Sequence, residues 1–407
     1  MHRKSFFKIK IEFKKSNGSY IFDQNSQREY LDFFGLYATN VLGYNHPIFQ
    51  SEEFIETLKD VASLKIPLNE IITDEGEAFL NRFSSISGAT DFAHFHFTCT
   101  GALANEAAIK AAIDQKPTSK PVVLSLKESF HGINGYGGFV TDHFYPANLR
   151  LQGFIDLGWP KLTNPKIRYA HNKVDEDATE AGLLQFEQEF RDAIYRYGQE
   201  NVAAIMIEPI QSTAGDFYFP DKFFPRVREL CNEYNVLWIQ DEIQTGMGVT
   251  GEMWCYQHIP SCVPDIVTFG KKTQSGLMAQ KPINKIFETP MRLEVTFDGD
   301  LVDMVRSHYV LKAYEQYGVL ENVRTQSAHF SALLKECPSI TNMRSKGLLF
   351  AFDLDSEQDR DLFVKKSFEN GLLTSRAGEK SIRLRPNLVV TSEDIEKAAQ
   401  IIKKSLC

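Results

Sequence analysis

Three side chains with catalytic potential lie at or close to the ends of short apolar runs in the sequence. They are Glu208, Asp241 and Lys271, and the runs before them are typical of buried strands. Ligands of open α/β sheets bind beyond the carboxyl ends of the strands, so we expect these side chains to face one crevice. Burial lowers the pKa of a lysine amine and makes it nucleophilic toward carbonyl carbons. The pattern predicts this role for Lys271, and the alternative is a solvated basic loop at Lys271 and Lys272.

Two side chains after the middle run could hold the ring of a cofactor. A carboxylate at Asp241, placed beneath a pyridine nitrogen, would keep that nitrogen protonated, and the ring could then act as an electron sink. Gln244 lies three residues further on and could donate a hydrogen bond to a phenolic oxygen of the ring. The alternatives are a helix cap for Asp241 and a surface amide for Gln244.

Two further segments could complete such a site. Gly101 and Ala102 follow Thr100 at the start of a helical pattern, and free N–H groups at a helix start bind phosphate. Thr100 is equally consistent with a plain helix cap. Phe130 follows the apolar run Val122–Leu126 and could stack on a planar ring, although a lone aromatic side chain usually belongs to the core.

The elements that must position these residues follow from hydrophobic periodicity. Between about residues 90 and 275, apolar β-branched runs alternate with helical patterns, which predicts a mostly parallel sheet covered by helices. The predicted strands are Val122–Leu126, Ala203–Ile207, Val236–Ile239 and Ile266–Phe269, and the predicted helices are Gly101–Ile113 and Asp221–Tyr234. We predict an α/β fold in which residues 51–300 form a large domain. Residues 301–407 would form a small α+β domain, to which residues 1–50 contribute a hairpin or meander that turns at Asn17-Gly18.

Composition excludes several classes of protein. The 407 residues carry a formal net charge of -8, which argues against the clustered basic face of a nucleic-acid-binding protein. No uncharged apolar run is long enough for a membrane-spanning helix, and the first residues lack the apolar core of a secretory signal, so we expect a cytoplasmic protein. The six cysteines form no C-x-x-C pair, so we predict neither a disulfide framework nor a metal site.

In their order along the chain, these motifs resemble those of the class III aminotransferases, which are pyridoxal-phosphate enzymes of fold type I. Among them the chain is most similar to the lysine 6-aminotransferases, because of the run Gly-Lys-Lys-Thr-Gln at 270–274. The matching segments are Tyr30-Leu31-Asp32, Leu42–Pro47, Gly101–Glu106, Phe130-His131-Gly132, Asp241–Gly251, Phe269–Gln274, Thr296-Phe297, Leu301–Arg306, Gly347–Leu354 and Ile382–Pro386. The resemblance covers nearly the whole chain.

The resemblance implies roles for the residues that would hold the cofactor. Lys271 would form the Schiff-base link to pyridoxal phosphate and would carry the proton between the substrate carbon and the ring. Asp241 would pair with the pyridinium nitrogen, and Gln244 would hydrogen-bond O3′ of the ring. The remaining cofactor-binding residues would be Gly101 and Ala102 at the phosphate, Phe130 on the ring face, and His131 and Glu208 nearby.

The resemblance also implies an assembly and an acceptor site. Thr296 would reach the phosphate of the cofactor in the other subunit, which makes the family obligate homodimers. Arg383 matches the arginine that binds the α-carboxylate of 2-oxoglutarate, with Arg385 as the alternative. The implied reaction moves a terminal amino group from a lysine-like ω-amine donor to 2-oxoglutarate and gives an aldehyde and glutamate. The alternatives are another fold-type-I reaction, by an aminomutase or a decarboxylase, and a cofactor-binding protein without turnover.

The sequence departs from the family's motifs on the substrate side. Where the lysine enzymes have an arginine that grips the substrate carboxylate, this chain has Ile133. Where the family has a glutamate that neutralises the carboxylate-binding arginine, this chain has Thr213. We therefore expect a donor that differs from plain lysine; the rival hypothesis is that Arg376 or Arg385 has taken over the missing role. Beside Thr296, two aspartates replace the family's glycine and asparagine, at positions 298 and 300.

Overall fold

The computed structural model describes residues 7–68, 71–86, 88–143, 153, 155–283 and 285–406. The chain divides into two compact units. Unit 1 comprises Met1–Lys59, Val249–Gly251 and Tyr309–Cys407, and unit 2 comprises Asp60–Gly248 and Glu252–His308. The main divisions, after Lys59 and after His308, differ from the predicted domain bounds at residues 50 and 300. Both observed divisions fall inside helices, where the sequence pattern gives no signal for a boundary. The short segment of unit 1 at 249–251 was not predicted.

The described residues form eleven α-helical segments and sixteen strands, besides short 3-10 turns. The helical segments are α1 (Gly35–Ala38), α2 (Glu52–Val61), α3 (Asp74–Ser84), α4 (Gly101–Asp114), α5 (Gly135–Val140), α6 (Glu176–Tyr197), α7 (Phe223–Tyr234), α8 (Leu301–Tyr317), α9 (Val319–Lys335), α10 (Glu357–Glu369) and α11 (Ser392–Leu406). The strands are β1 (Tyr20–Asp23), β2 (Arg28–Asp32), β3 (His94–Thr98), β4 (Val122–Leu126), β5 (Lys161–Leu162), β6 (Tyr169–Ala170), β7 (Lys173–Val174), β8 (Val202–Ile207), β9 (Leu237–Asp241), β10 (Ile266–Phe269), β11 (Gly276–Gln280), β12 (Thr341–Lys346), β13 (Leu349–Asp353), β14 (Leu372–Leu373), β15 (Ser375–Ala377) and β16 (Ser381–Leu384).

Unit 2 is built on a seven-stranded sheet of order β3-β11-β10-β9-β8-β4-β5. Its strands run parallel except for β11, which pairs antiparallel with both β10 and β3. The predicted mostly parallel sheet is thus confirmed, and β3, β5 and β11 are additional strands. All residues of β4, β8, β9 and β10 are buried, as expected for a parallel sheet covered on both faces.

This sheet order fixes where the candidate residues lie. Strands β10, β9, β8 and β4 are consecutive neighbours and parallel, so their carboxyl ends lie along one edge. Thr268 of β10 lies opposite Asp241 of β9, and Ile207 of β8 lies opposite Gln240. Side chains that are far apart in sequence are therefore neighbours at this edge.

Unit 1 contains two smaller sheets, β1-β2-β14 and β12-β13-β16-β15. The predicted turn at Asn17-Gly18 is present, since Asn17 and Tyr20 exchange backbone hydrogen bonds of 3.0 and 2.8 Å and Gly18 has a φ of +51°. The chain reverses a second time between β1 and β2, at a turn that was not predicted. The Asp23 carboxylate accepts the N–H groups of Asn25 and Ser26 at 3.1 and 3.0 Å, which stabilises a turn without glycine. The long helical pattern after Leu301 is divided between α8 and α9 by Gly318, whose φ is +60°.

The helices within the described ranges include none that combines the length and the apolar character needed to cross a bilayer.

Candidate active site

The segments that carry Lys271, Asp241 and the start of α4 are in direct contact. A Cβ atom added to Gly270, the residue before Lys271, would lie 3.2 Å from the Cα of Gly101 and 3.2 Å from Ile243. One added to Gly101 would lie 2.8 Å from Ile243. The two glycines therefore permit a close approach of three chain segments at the edge of the sheet, and the predicted residues on those segments are brought together.

Asp241 is the centre of a buried hydrogen-bond network. Its Oδ2 accepts a hydrogen bond from Asn105 Nδ2 at 2.9 Å and lies 2.8 Å from His131 Nδ1, while its Oδ1 accepts the N–H of Ile243 at 3.0 Å. Asn105 Nδ2 also donates to the carbonyl of His131 at 2.9 Å. Sequence reasoning did not single out Asn105, because no local pattern marks its pairing with Asp241.

Glu208 connects the end of β8 to the loop that follows β4. Its Oε1 accepts the N–H of Phe130 at 2.8 Å, and its Oε2 accepts the N–H of Ser212 at 3.4 Å. Burial raises the pKa of Glu208 to about 7; His131 opposes this increase and Asp241 adds to it. Glu208 thus fixes the backbone of Phe130, whose half-buried ring stacks on no other aromatic ring within the described ranges.

The N-terminus of α4 presents backbone donors. The helix begins at Gly101, so the N–H groups of Gly101 and Ala102 have no acceptor inside the helix. The side chain of Thr100, at the cap position, makes no capping hydrogen bond. These two N–H groups are therefore suitable for an anion, which favours the phosphate site over the plain helix cap.

Lys271 and Lys272 occupy different environments in the helical turn Lys271–Thr273. Lys271 is partly exposed and has a φ of +52°, whereas Lys272 is only 2% exposed. A non-glycine residue in the left-handed region stores backbone strain, and such residues cluster at functional sites. Gln244 is half-buried in the turn that follows Asp241. The burial of Lys272 counts against a loop in which both lysines are solvated.

The substrate-side candidates in unit 2 lie in loops. Ile133 is 63% exposed, Thr213 is half-buried in the turn after Gln211, and Thr296 is exposed. Within the part of the chain that the structure describes, the side chains of these three residues form no hydrogen bond or ion pair.

A second polar network, which sequence reasoning did not find, holds the loops of Ile133 and Thr213 together. Glu128 pairs with Lys166 at 2.7 Å, and Asn164 Nδ2 donates to Glu128 at 2.7 Å and to Gln211 at 2.5 Å. The Lys166 ammonium also lies 3.3 Å from the centre of the Phe217 ring. In sequence these residues look like separate surface positions, because the pairing partners are 36 to 47 residues apart.

In unit 1, the three candidate arginines are engaged differently. Arg385 is buried, and its Nη1 donates to the carbonyls of Phe350 and Leu384 at 3.1 and 3.0 Å. Arg376 is exposed and pairs with Asp361 at 3.2 Å. Arg383 is half-buried in β16, between β13 and β15. Arg385 thus supports the local backbone and Arg376 has a surface partner.

The residues of unit 2 fit the pyridoxal phosphate that the resemblance implies. Two buried polar atoms next to Asp241, His131 Nε2 and Asn105 Oδ1, make no hydrogen bond within the described residues. A carboxylate has about four lone-pair positions, and the three donors on Asp241 leave one for a ring N–H. Buried polar atoms without partners are rare unless a ligand or water completes them.

Comparisons with known proteins identify the family of this chain. The family model described as aminotransferase class-III matches residues 3–406. The L-lysine-epsilon aminotransferase of Mycobacterium tuberculosis is 33% identical, over 98% of this chain and 92% of the relative. The enzyme of the same name from Streptomyces clavuligerus is 30% identical, over 98% and 91% of the two chains. An acetylornithine aminotransferase of Bacillus cereus is 29% identical, over 98% and 95%.

A solved structure gives the same result. The lysine aminotransferase from M. tuberculosis, in its internal aldimine form, superposes with a TM-score of 0.93 at 32% identity, covering 100% of this chain and 96% of the other. Both the sequence and the fold therefore match over the full length. The chain belongs to the class III aminotransferases, the pyridoxal-phosphate-dependent transaminases of fold type I.

Proposed function

We propose that this transaminase takes the terminal amino group of a lysine-like ω-amine donor and passes it to 2-oxoglutarate, giving an aldehyde and glutamate. The observation that carries this proposal is the buried Asp241 network, which keeps an acceptor position beside two other orphaned polar atoms. The similarity to the L-lysine-epsilon aminotransferases supports an amine at the end of the donor chain.

Pyridoxal phosphate, when bound, supplies an electron sink for negative charge at the substrate carbon. Asp241 would hold the positive charge on the ring nitrogen, and Asn105 and His131 would keep that carboxylate in one orientation. The N–H groups of Gly101 and Ala102 would bind the phosphate. This arrangement uses the positive end of α4 and needs no basic side chain.

Three more residues would complete the cofactor site. Phe130 would stack on the ring, with its backbone held by Glu208. Gln244 would donate to the phenolic oxygen. Lys271 Nζ would anchor the cofactor, then remove the proton from the substrate carbon and deliver it to the ring side. The left-handed backbone at Lys271 gives its side chain a direction that Lys272 does not share.

The donor is the part of the proposal in which this chain departs from its family. We propose a donor that presents an uncharged or apolar segment to Ile133, or else places its own carboxylate on Arg383. A carboxylate against Ile133 would be left unpaired, which is costly once the site is closed to water. Thr213 carries no charge that could neutralise Arg383. Arg376 and Arg385 already have the partners described above, which counts against a transfer of the missing role to either.

We further propose a homodimer in the cytoplasm, in which Thr296 completes the phosphate site of the other subunit. The exposed Thr296 side chain, which makes no hydrogen bond within the described residues, supports this proposal. Mixed inactive Lys271→Ala and Thr296→Ala subunits should regain part of the activity as hybrid dimers, because one of the two sites would then be intact. A fully active monomer in sedimentation would contradict this assembly.

The reaction class is tested by initial-rate kinetics with amine and 2-oxo acid varied together. A transaminase gives a ping-pong pattern, because the amine is delivered before the acceptor binds. A decarboxylase or an aminomutase would turn over without 2-oxo acid, and a binding protein without turnover would show no rate with any donor. A panel of amines, mixed with the holoenzyme alone, would then identify the donor from the change in cofactor absorbance.

A further inference from the structure

The loop that carries Thr296 is held by two acidic side chains, Asp298 and Asp300, that follow its tip. The N–H of Val295 donates to Asp298 Oδ2 at 2.6 Å, and the N–H of Asp298 donates to the carbonyl of Val295 at 3.2 Å. Asp298 therefore satisfies both backbone groups of Val295 and closes a turn. Only Thr296 and Phe297 lie between these two residues, and both are exposed.

Asp298 is fixed from the sheet side. It is buried, and its Oδ2 lies 3.7 Å from Nε2 of His96, a buried residue of β3. Gly299 follows with a φ of +83°, and a Cβ atom there would lie 3.3 Å from Phe97 Cβ and 3.2 Å from Met304 Cε. The closed turn is therefore packed against β3 and against the first turn of α8.

Asp300 fixes the C-terminal end of the loop, where α8 begins. Its Oδ1 accepts the N–H of Val302 at 2.9 Å, which caps the start of α8, and its Oδ2 pairs with Lys65 at 3.0 Å. The Lys65 ammonium also lies 4.9 Å from the centre of the Phe297 ring. Burial alone would raise the pKa of Asp300, but the hydrogen bonds from Lys65 and Val302 outweigh it and hold the pKa below its usual value.

We propose that Asp298 and Asp300 are positioning residues that hold the Thr296 hydroxyl in the orientation required by the cofactor phosphate of the other subunit. The inference rests on the proposed role of Thr296 and adds the two residues that orient its hydroxyl group. Because both backbone groups of Val295 are hydrogen-bonded, the turn has few conformations, and it loses little conformational entropy when the phosphate binds. Preorganisation of this kind increases affinity without a new contact to the ligand.

The test is the rate at which the holoenzyme loses pyridoxal phosphate on dilution into a trap that consumes free cofactor. Thr296→Ala should speed the loss by about 10- to 100-fold, the value of one hydrogen bond to a charged group. Asp298→Ala should speed it by roughly 3- to 10-fold, a preorganisation effect smaller than the bond itself. Asp300→Asn keeps the helix cap, loses the charge that pairs with Lys65, and should give a smaller change in the same direction. Asp303→Asn, which removes a carboxylate one turn away on α8, should release cofactor at the wild-type rate.

The decisive variant is the double Asp298→Ala/Thr296→Ala. If Asp298 acts through Thr296, the double variant releases cofactor no faster than Thr296→Ala alone, whereas a general loosening of the fold would multiply the two effects. Multiplied effects, a wild-type rate for both Asp298→Ala and Asp300→Asn, or loss of the dimer in sedimentation would overturn the inference. A wild-type rate for Thr296→Ala would overturn the proposed role of Thr296 and the inference with it. If Asp298→Ala does not fold, the same cycle with Asp300→Asn decides.

Discussion

Asp241, at the end of β9, and Ile133, in the loop after β4, lie in the same unit but belong to two regions that are built in different ways. Asp241 is 5% exposed and is surrounded by donors from α4, from the loop after β4 and from its own turn. Ile133 is 63% exposed and touches no charged partner within the described residues. The first region, the cofactor side, also contains Glu208, and the second, the substrate side, also contains Thr213.

The difference shows which residues the chain itself constrains. On the cofactor side, a change of residue leaves a buried polar group of this chain without a partner, which costs about 1–3 kcal/mol. On the substrate side, a side chain has its main partner in the substrate, so a substitution changes specificity and leaves folding nearly unaffected. Of the four departures from the family motifs, those at positions 133 and 213 fall on the substrate side, and those at positions 298 and 300 lie beside Thr296.

The largest expected effect is on turnover, when the reactive amine of the cofactor side, that of Lys271, is removed. Lys271→Ala should lower turnover by about 10²–10⁴-fold from the lost proton transfer alone, because no other amine leaves the strand in the same direction. The matched control is Lys272→Met, which keeps the volume of the buried neighbour and should retain the covalent cofactor. Borohydride reduction followed by peptide mapping locates the label. A pyridoxyl label on Lys272 in the wild-type enzyme would contradict the assignment.

A second prediction concerns the electrostatic cost of the cofactor side. The pKa of Glu208 is about 7 in the folded chain, against an ordinary value of 4.5. Between these values the folded chain binds the extra proton and the unfolded chain does not, so the free energy of unfolding should fall as pH rises from 4.5 to 7. Glu208→Gln should remove about 3 kcal/mol of this fall, measured by urea unfolding of cofactor-free protein at several pH values.

Glu242 supplies the control for that experiment. It is also buried, with a pKa of about 7, and it accepts hydrogen bonds from the N–H groups of Cys255 and Tyr256. Part of the pH dependence should therefore remain in Glu208→Gln and disappear only in the double variant with Glu242→Gln. An unchanged pH dependence in the double variant would show that neither carboxyl holds its proton in the folded chain.

A third prediction compares the loss of stability caused by one substitution on each side. Asn105→Ala removes donors from Asp241 and from the His131 carbonyl and should lower the free energy of unfolding by about 1–3 kcal/mol. Thr213→Ala, on the substrate side, should change it by less than about 0.5 kcal/mol, since no hydrogen bond is lost. Chemical denaturation of both variants measures the difference. Equal destabilisation would show that the two regions are not built differently.

The fold was predictable where burial is continuous along the sequence. The runs of β4 and β10 were predicted with the observed bounds, because a strand buried on both faces reads as an unbroken apolar segment. The turn after β1 was not, since no glycine marks it. The Asp23 carboxylate stabilises this turn by accepting two backbone N–H groups, and Gln27 adopts the positive φ of +53°. The division between α8 and α9 depends on one residue, Gly318, within a continuous helical periodicity.

The candidate site was likewise predictable only where the sequence carries a local signal. Residues at strand ends were predicted because the strand itself gives the signal. Asn105 was not, since its partner Asp241 is 136 residues away and nothing local marks the pairing. The pair Glu128 and Lys166 looks in sequence like two solvated charges, and only the fold brings them together.

The central claim is that the cofactor side is that of the family whereas the substrate side accepts a different donor, and one comparison tests it most directly. kcat/KM is measured for lysine, its decarboxylated diamine and a carboxyl-blocked lysine, with the wild-type enzyme and with Ile133→Arg. We predict weak use of lysine and better use of the donors without a free carboxylate, with lysine gaining in Ile133→Arg because the guanidinium can bind its carboxylate. A strong and specific preference for free lysine that is unchanged in Ile133→Arg would contradict the account.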